Sequence, residues 1–131
     1  MSLSIANNSN GPVVLVVEDE LSVRYDIAVC LREAGYVVIE AASGEEAIAS
    51  CKSAAIIDIV FTDINLDGIA DACDVGECFH KDRPGLPVLS TSAQSIRGRK
   101  GQPGRSVFVT KPYRQTEILT ACARLRSKST F

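Results

Sequence analysis

Five positions carry side chains suited to handling a small, highly charged group: Glu18, Asp19, Asp63, Ser92 and Lys111. They fall at four places far apart in the chain, yet each ends or follows an apolar run. The clearest is Asp63, which closes Ile56-Ile57-Asp58-Ile59-Val60-Phe61-Thr62-Asp63 and precedes Ile64-Asn65-Leu66-Asp67-Gly68. The run is short and rich in β-branched residues, so it reads as a buried strand. The Asn, Asp and Gly after it are turn chemistry. A carboxylate at the carboxyl end of a buried strand stands where open α/β sheets bind ligands, which makes Asp63 a candidate nucleophile for a phosphoryl group. Three carboxylates brought together repel one another unless something neutralises them. A Mg²⁺ ion does so with oxygen ligands. Lys111 would add a fixed positive charge and Ser92 a hydroxyl donor, the electrostatic setting that phosphoryl transfer needs.

The elements that must position these groups alternate along the chain. Val13-Val14-Leu15-Val16-Val17 follows Gly11-Pro12 and reads as a first strand, ending at Glu18-Asp19-Glu20. Residues 21–34 carry Val23, Ile27, Cys30 and Leu31 at roughly helical spacing, and Gly35 is a helix stop. Tyr36-Val37-Val38-Ile39 is a second strand. Ser43-Gly44-Glu45-Glu46 is a helix start with acids in its first turn, and Ala47, Ile48 and Cys51 form its apolar face. The Asp63 strand is third, and residues 71–80 read as helix. Leu86-Pro87-Val88-Leu89-Ser90 is a fourth strand, Ser106-Val107-Phe108-Val109-Thr110 a fifth, and residues 117–125 a closing helix. Between the last two strands, residues 95–104 hold three glycines, a proline and one large apolar residue. A helix there is expected to be short or irregular, since Gly costs about 1 kcal/mol and Pro about 3 kcal/mol in a helix interior. Five strands alternating with helices imply a parallel sheet with right-handed crossovers and helices on both faces.

The chain has 131 residues, 46% of them hydrophobic and 23% charged, a composition ordinary for one globular domain. Residues 1–11 are expected to be a disordered amino-terminal segment and residues 12–131 the folded domain. No apolar run approaches a membrane span, and no basic segment followed by an apolar one marks secretion, so the expected location is cytoplasmic. The five cysteines, Cys30, Cys51, Cys73, Cys78 and Cys122, are expected as reduced thiols, mostly buried. Cys73, Cys78 and His80 are close in sequence but match no standard zinc spacing. The net charge of −2 is unevenly spread: residues 1–96 carry −10 and residues 97–131 carry +8. An acidic part fits a cation site, and a basic part fits either a solvated surface or an acidic partner.

At four strand ends together, the sequence resembles the receiver domain of two-component response regulators. The residues that carry the resemblance are Val-Val-Glu18-Asp19-Glu20, Phe-Thr-Asp63-Ile-Asn-Leu, Pro87-Val-Leu-Ser-Thr-Ser92-Ala93 and Val-Thr-Lys111-Pro112-Tyr113. The resemblance covers roughly residues 13–125. It implies a flavodoxin-like, doubly wound five-stranded parallel sheet in the order 2-1-3-4-5. It also implies that Asp63 is the phosphoacceptor and that Asp19 and Asp63 ligate Mg²⁺ directly, Glu18 through water and Asn65 through its backbone carbonyl. Lys111 would bind a phosphoryl oxygen. Ser92, which Ala93 follows, would take the family's hydroxyl role, and Phe108 would be the aromatic switch that turns inward when Ser92 is drawn to the phosphoryl group. Asn65 and Gln94 occupy the positions that tune hydrolysis. The donor would be a histidine kinase or histidine phosphotransfer protein acting in trans, because the only histidine, His80, reads as a surface helix residue. The expected chemistry is self-phosphorylation and autodephosphorylation, with no separate substrate turned over.

Two departures stand out. The text after Asp63 lacks the proline and glycine-rich turn common in relatives, and the fourth helical segment is degraded. Arg97, Arg99, Lys100 and Arg105 fall on that segment, where they could dock an acidic target protein; no direct nucleic-acid or membrane contact is expected. Nothing after Leu125 reads as an output domain, so the chain is expected to be a stand-alone receiver or one excised from a longer protein such as a hybrid kinase. Its role would be a switch of protein contacts or a phosphate shuttle or sink. A remoter alternative is a calcium module, since Asp63-x-Asn65-x-Asp67-Gly68 matches the opening of an EF-hand loop. The twelfth loop position, Asp74, is not the Glu expected there, and a β-rich run replaces the leading helix.

Overall fold

The computed structural model describes residues 11–63, 72–92 and 106–128. Strands β1 (Val13–Val17), β2 (Val37–Ala41), β3 (Ile59–Asp63), β4 (Val88–Ser92) and β5 (Ser106–Thr110) form one parallel sheet in the order β2-β1-β3-β4-β5. Among the described residues there are four helices: α1 (Leu21–Glu33), α2 (Gly44–Lys52), α3 (Ala72–Asp82) and α4 (Gln115–Lys128). This is the doubly wound order the resemblance implied. Residues 1–10 of the expected disordered segment and the weak helical segment at 95–104 lie outside the described residues.

Side chains alternate along each strand, so the sheet has two cores. Val14, Val16, Ile59, Phe61 and Leu89 pack with Ile27 and Leu31 of α1 and with Ile118, Cys122 and Leu125 of α4. Leu15, Val17, Val60 and Val88 pack with Ala47 and Cys51 of α2 and with Val75 and Phe79 of α3. Burial on both faces explains why β1 reads as an unbroken apolar run and β3 as one from Ile59 to Phe61. Each fully buried Val, Leu, Ile or Phe contributes about 1.5–3 kcal/mol relative to exposure.

The boundaries differ from expectation where side chains intervene. β3 begins at Ile59 rather than Ile56, which is exposed. The cause is Asp58: its carboxylate accepts the Val13 N–H at 2.7 Å, and its own N–H donates to the Val13 carbonyl at 2.8 Å. That pair fixes where β1 and β3 meet. α1 ends as its glycine predicted: Gly35 adopts φ 99°, its N–H donates to Arg32 O, and the Tyr36 N–H donates to Leu31 O, satisfying the last carbonyls. Tyr36, turned into the core, then leads into β2 at Val37. At the start of α2, Ser43 Oγ accepts the Glu46 N–H and Glu46 Oε1 accepts the Ala42 N–H, a reciprocal cap.

The carboxyl end of α2 has a cap the sequence did not announce. Arg83, just past α3, donates from Nε to Cys51 O (3.1 Å), from one terminal nitrogen to Ala55 O (2.7 Å), and from the other to Ser53 O (3.0 Å) and Ser50 O (3.4 Å). One guanidinium thus satisfies the carbonyls at the negative end of a helix and holds α2 to α3. Arg83→Ala should lower the free energy of unfolding by about 2 kcal/mol. Arg83→Lys should recover less than half of it, because an ammonium cannot span the same four acceptors. Urea unfolding of the three proteins checks this; equal stability of Arg83→Ala and wild type would refute the cap.

Candidate functional site

The sheet register brings the polar strand ends together. Val17 of β1 is level with Thr62 of β3, so Glu18 comes level with Asp63. Asp63 is paired with Thr91 of β4, and Ser92 with Thr110 of β5. Lys111, one residue beyond β5, reaches back across β4 to place Nζ 2.8 Å from Asp63 Oδ2. Glu18 and Asp63 are buried, at 2% and 5% exposure, while Lys111 stays partly solvated. Asp19 is half-buried and shares a hydrogen bond with Glu18. The backbone around Glu18 is held firmly: its N–H donates to Ala41 O at 3.0 Å, its carbonyl accepts from Arg24 at 3.0 Å, and its carboxylate accepts the Glu20 N–H at 3.1 Å. Arg24 also pairs with Glu40 at 3.1 Å, tying α1 to β2 beside the site.

Of the residues singled out in the sequence, Glu18, Asp19, Asp63 and Lys111 meet at this edge, and Ser92 ends β4 at the same edge. Phe108 lies in mid-β5 opposite Ser90, half-buried, and lines a groove of about 400 Å³ with Thr120, Arg124 and Leu125 of α4. Asn65 and Gln94, and the basic residues Arg97, Arg99, Lys100 and Arg105, lie outside the described residues. Asp63 ends a central strand and not a helix, which removes the leading helix an EF-hand loop requires. Two neighbours had no role assigned to them in the sequence, although both lie within the strand-end motifs. Tyr113 is half-buried, and its hydroxyl pKa is raised to about 12 by burial, then by the negative charges of Glu18 and Asp63. Thr91 is fully buried beside Asp63, and its Oγ1 has no hydrogen-bond partner among the described residues. The only sequence signal for either was its place within a strand-end motif.

Burial pushes the Glu18 carboxyl up to about 7 against the pull of the Glu20 N–H, with the Asp63 charge raising it further. A cluster of three carboxylates offering oxygen donors only is suited to a small hard cation, so the residues present fit Mg²⁺. In metal-free protein, ionising the buried Glu18 carboxyl weakens the fold. An unfolded Glu18 has its ordinary pKa near 4.5, so the folded state binds the proton more tightly. Its contribution is fully present below that value and is lost as pH rises through about 7. In chelator, Glu18→Gln should therefore match wild type near pH 4 and exceed it by about 1–3 kcal/mol at pH 8. Denaturant midpoints across that range check this; parallel curves for the two proteins would refute it.

A family model described as "Response regulator receiver domain" matches residues 14–123. The transcriptional regulatory protein PdtaR of Mycobacterium tuberculosis is 29% identical over 112 residues, which cover 82% of this chain and 53% of PdtaR. The chain therefore spans about half the length of that relative. Among solved structures, a response regulator receiver protein from Sinorhizobium medicae is 27% identical with a TM-score of 0.83, covering 89% of this chain and 95% of that one. The receiver domain of the hybrid histidine kinase CckA is 30% identical with a TM-score of 0.71, covering 86% and 97%. The match spans all five strands and the acidic edge, and the chain belongs to the response regulator receiver domain family of two-component signalling.

Proposed function

We propose that this receiver takes a phosphoryl group onto Asp63 from a phosphohistidine of a histidine kinase or phosphotransfer protein. The observation that carries the reading is the 2.8 Å contact of Lys111 Nζ with Asp63 Oδ2 beside buried Glu18, at the carboxyl edge of the sheet. A carboxylate oxygen of Asp63 attacks phosphorus, the P–N bond to the donor imidazole breaks with its electron pair returning to the ring, and an acyl phosphate forms. The Lys111 ammonium, already within reach of that carboxylate, passes to a phosphoryl oxygen and offsets its charge. Asp19 and Asp63 would hold Mg²⁺ directly, Glu18 through water and Asn65 through its backbone carbonyl. When bound, the ion neutralises charge on the transferring oxygens. His80, the only histidine, is exposed on α3, which supports a donor in trans.

In this reading Ser92 donates its hydroxyl to the phosphoryl group, and Phe108 changes its environment in response, a two-state element biased by local charge. The open groove beside Phe108 supports such a change. Asn65 and Gln94 orient the water that later attacks phosphorus and returns Asp63. Arg97, Arg99, Lys100 and Arg105 give the carboxyl-terminal part its basic character and would dock an acidic target. The likeness to a receiver from a hybrid kinase favours, as a second reading, a shuttle or sink within a relay.

Acetyl phosphate with Mg²⁺ should give one phosphoryl adduct by intact mass, and Asp63→Asn or chelator should abolish it. A folded wild type that gains no adduct would overturn the proposal. Lys111→Ala should slow adduct formation by about 10²-fold, the usual effect of deleting one charge-stabilising donor. A rate within about twofold of wild type would exclude the role given to Lys111.

A further inference from the structure

α2 and α3 pack against each other on one face of the sheet, and their carboxyl ends lie at the edge opposite Asp63. There, three donor groups converge on one oxygen. Cys51 Sγ of α2 lies 3.9 Å from Asp82 Oδ2, and Cys78 Sγ of α3 lies 3.8 Å from the same atom. The three ligand atoms all lie within 4.8 Å of one another. Lys52 Nζ stands 3.2 Å from that oxygen as well. Cys78 and Asp82 are one helical turn apart, so they project from the same side of α3. Both thiols are free.

We propose that Cys51, Cys78 and Asp82 form a metal site of their own, for a thiophilic divalent cation of the Zn²⁺ class. The spacing fits such an ion. With bonds of about 2.3 Å to sulfur and about 2.0 Å to oxygen, a tetrahedral centre separates its sulfur and oxygen ligands by about 3.5 Å. The observed separations of 3.8 and 3.9 Å need only a small contraction. The ligand set is soft, with two sulfurs from two helices, unlike the all-oxygen set at Glu18, Asp19 and Asp63, so the two edges select different ions. Binding releases two thiol protons to solvent. Two thiolates and one carboxylate around a divalent ion leave a single negative charge, which the Lys52 ammonium offsets from outside the ligand shell. The fourth position is open to water, because Asp82 and Cys78 face solvent while Cys51 is buried. The bound ion would tie α2 to α3 beside the Arg83 cap.

The test uses the whole chain, kept reduced, with excess Mg²⁺ present to hold the oxygen-rich edge. Titration with Cd²⁺ should produce a thiolate-to-metal charge-transfer band that saturates at one equivalent, and Zn²⁺ should displace the Cd²⁺. Cys78→Ser and Cys51→Ser should each weaken binding by about 100-fold or more, and Asp82→Asn by about tenfold. Cys30→Ala and Cys73→Ser should leave the band in place. Zn²⁺ should raise the melting temperature of wild type and leave that of Cys78→Ser unmoved; Cys78 is only half-buried, so this variant keeps the packing. A band that survives both Cys51→Ser and Cys78→Ser, a band lost in Cys73→Ser, or no band on folded reduced protein would overturn the assignment.

Discussion

The parallel register of β1 and β3 forces two buried carboxylates to the same level. Glu18 and Asp63 end adjacent strands whose side chains fill both cores, so neither end can withdraw without breaking the packing of Val14 to Val17 or of Ile59 to Phe61. Like charges held in a low-dielectric edge are expensive. The structure offsets that cost with one ammonium from Lys111, with backbone N–H donation to Glu18, and with the raised proton affinity of Glu18 itself. The edge's affinity for added positive charge is therefore a property of the sheet. Arg24, α1 and β2 support it by fixing the Glu18 backbone, and the Asp58–Val13 pair fixes the register at the opposite end of the same two strands.

Most of the fold was legible because the strands are short apolar runs stopped by charged or turn residues. β1 and β5 have the boundaries expected of them, set by Gly11-Pro12, Glu18, Lys111 and Pro112. β3 and β4 did not, for a reason periodicity cannot see. Ile56 and Leu86 have the composition of strand residues, yet the ladders start later. Asp58 turns its carboxylate onto the Val13 N–H, and Pro87 has no N–H to donate and contributes only its carbonyl, to Val60. Helix ends were legible where they depend on neighbours in sequence, as at Ser43 and Gly35. The cap of α2 was not, because its donor, Arg83, lies about thirty residues away and reads as an ordinary surface charge.

The same division runs through the site. Glu18, Asp63 and Lys111 could be named because each ends a strand, and parallel topology brings strand ends together whatever lies between them. Thr91 and Tyr113 also neighbour the carboxylates, but nothing in their residue type marks a role there. A threonine in a strand reads as ladder and a tyrosine after Lys-Pro reads as turn or core, and only register and burial reveal their positions. The Cys51–Cys78–Asp82 cluster was hidden likewise. In sequence Cys78 stands beside Cys73 and His80, whereas in space its partners are a thiol on α2 and a carboxylate one turn further along α3.

These contacts make the two sides of the sheet unequal in how easily they can rearrange. On the α2–α3 side, sliding α3 along its axis would break four guanidinium bonds at Arg83 and the Lys52–Asp82 pair together. Losses that occur as a unit resist small displacements far better than independent contacts do. On the β5–α4 side, Val107, Phe108 and Val109 are only half-buried, and a groove of about 400 Å³ lies beside Phe108. Lys111, whose Nζ lies 2.8 Å from Asp63 Oδ2, leads directly out of β5. In the proposed reading, a change of charge at Asp63 would meet a more firmly tied element on one side and, on the other, a side chain beside an open groove, covalently continuous with the lysine that contacts Asp63. On that proposal the response would fall at β5, with α2 and α3 as the more firmly tied side of the sheet.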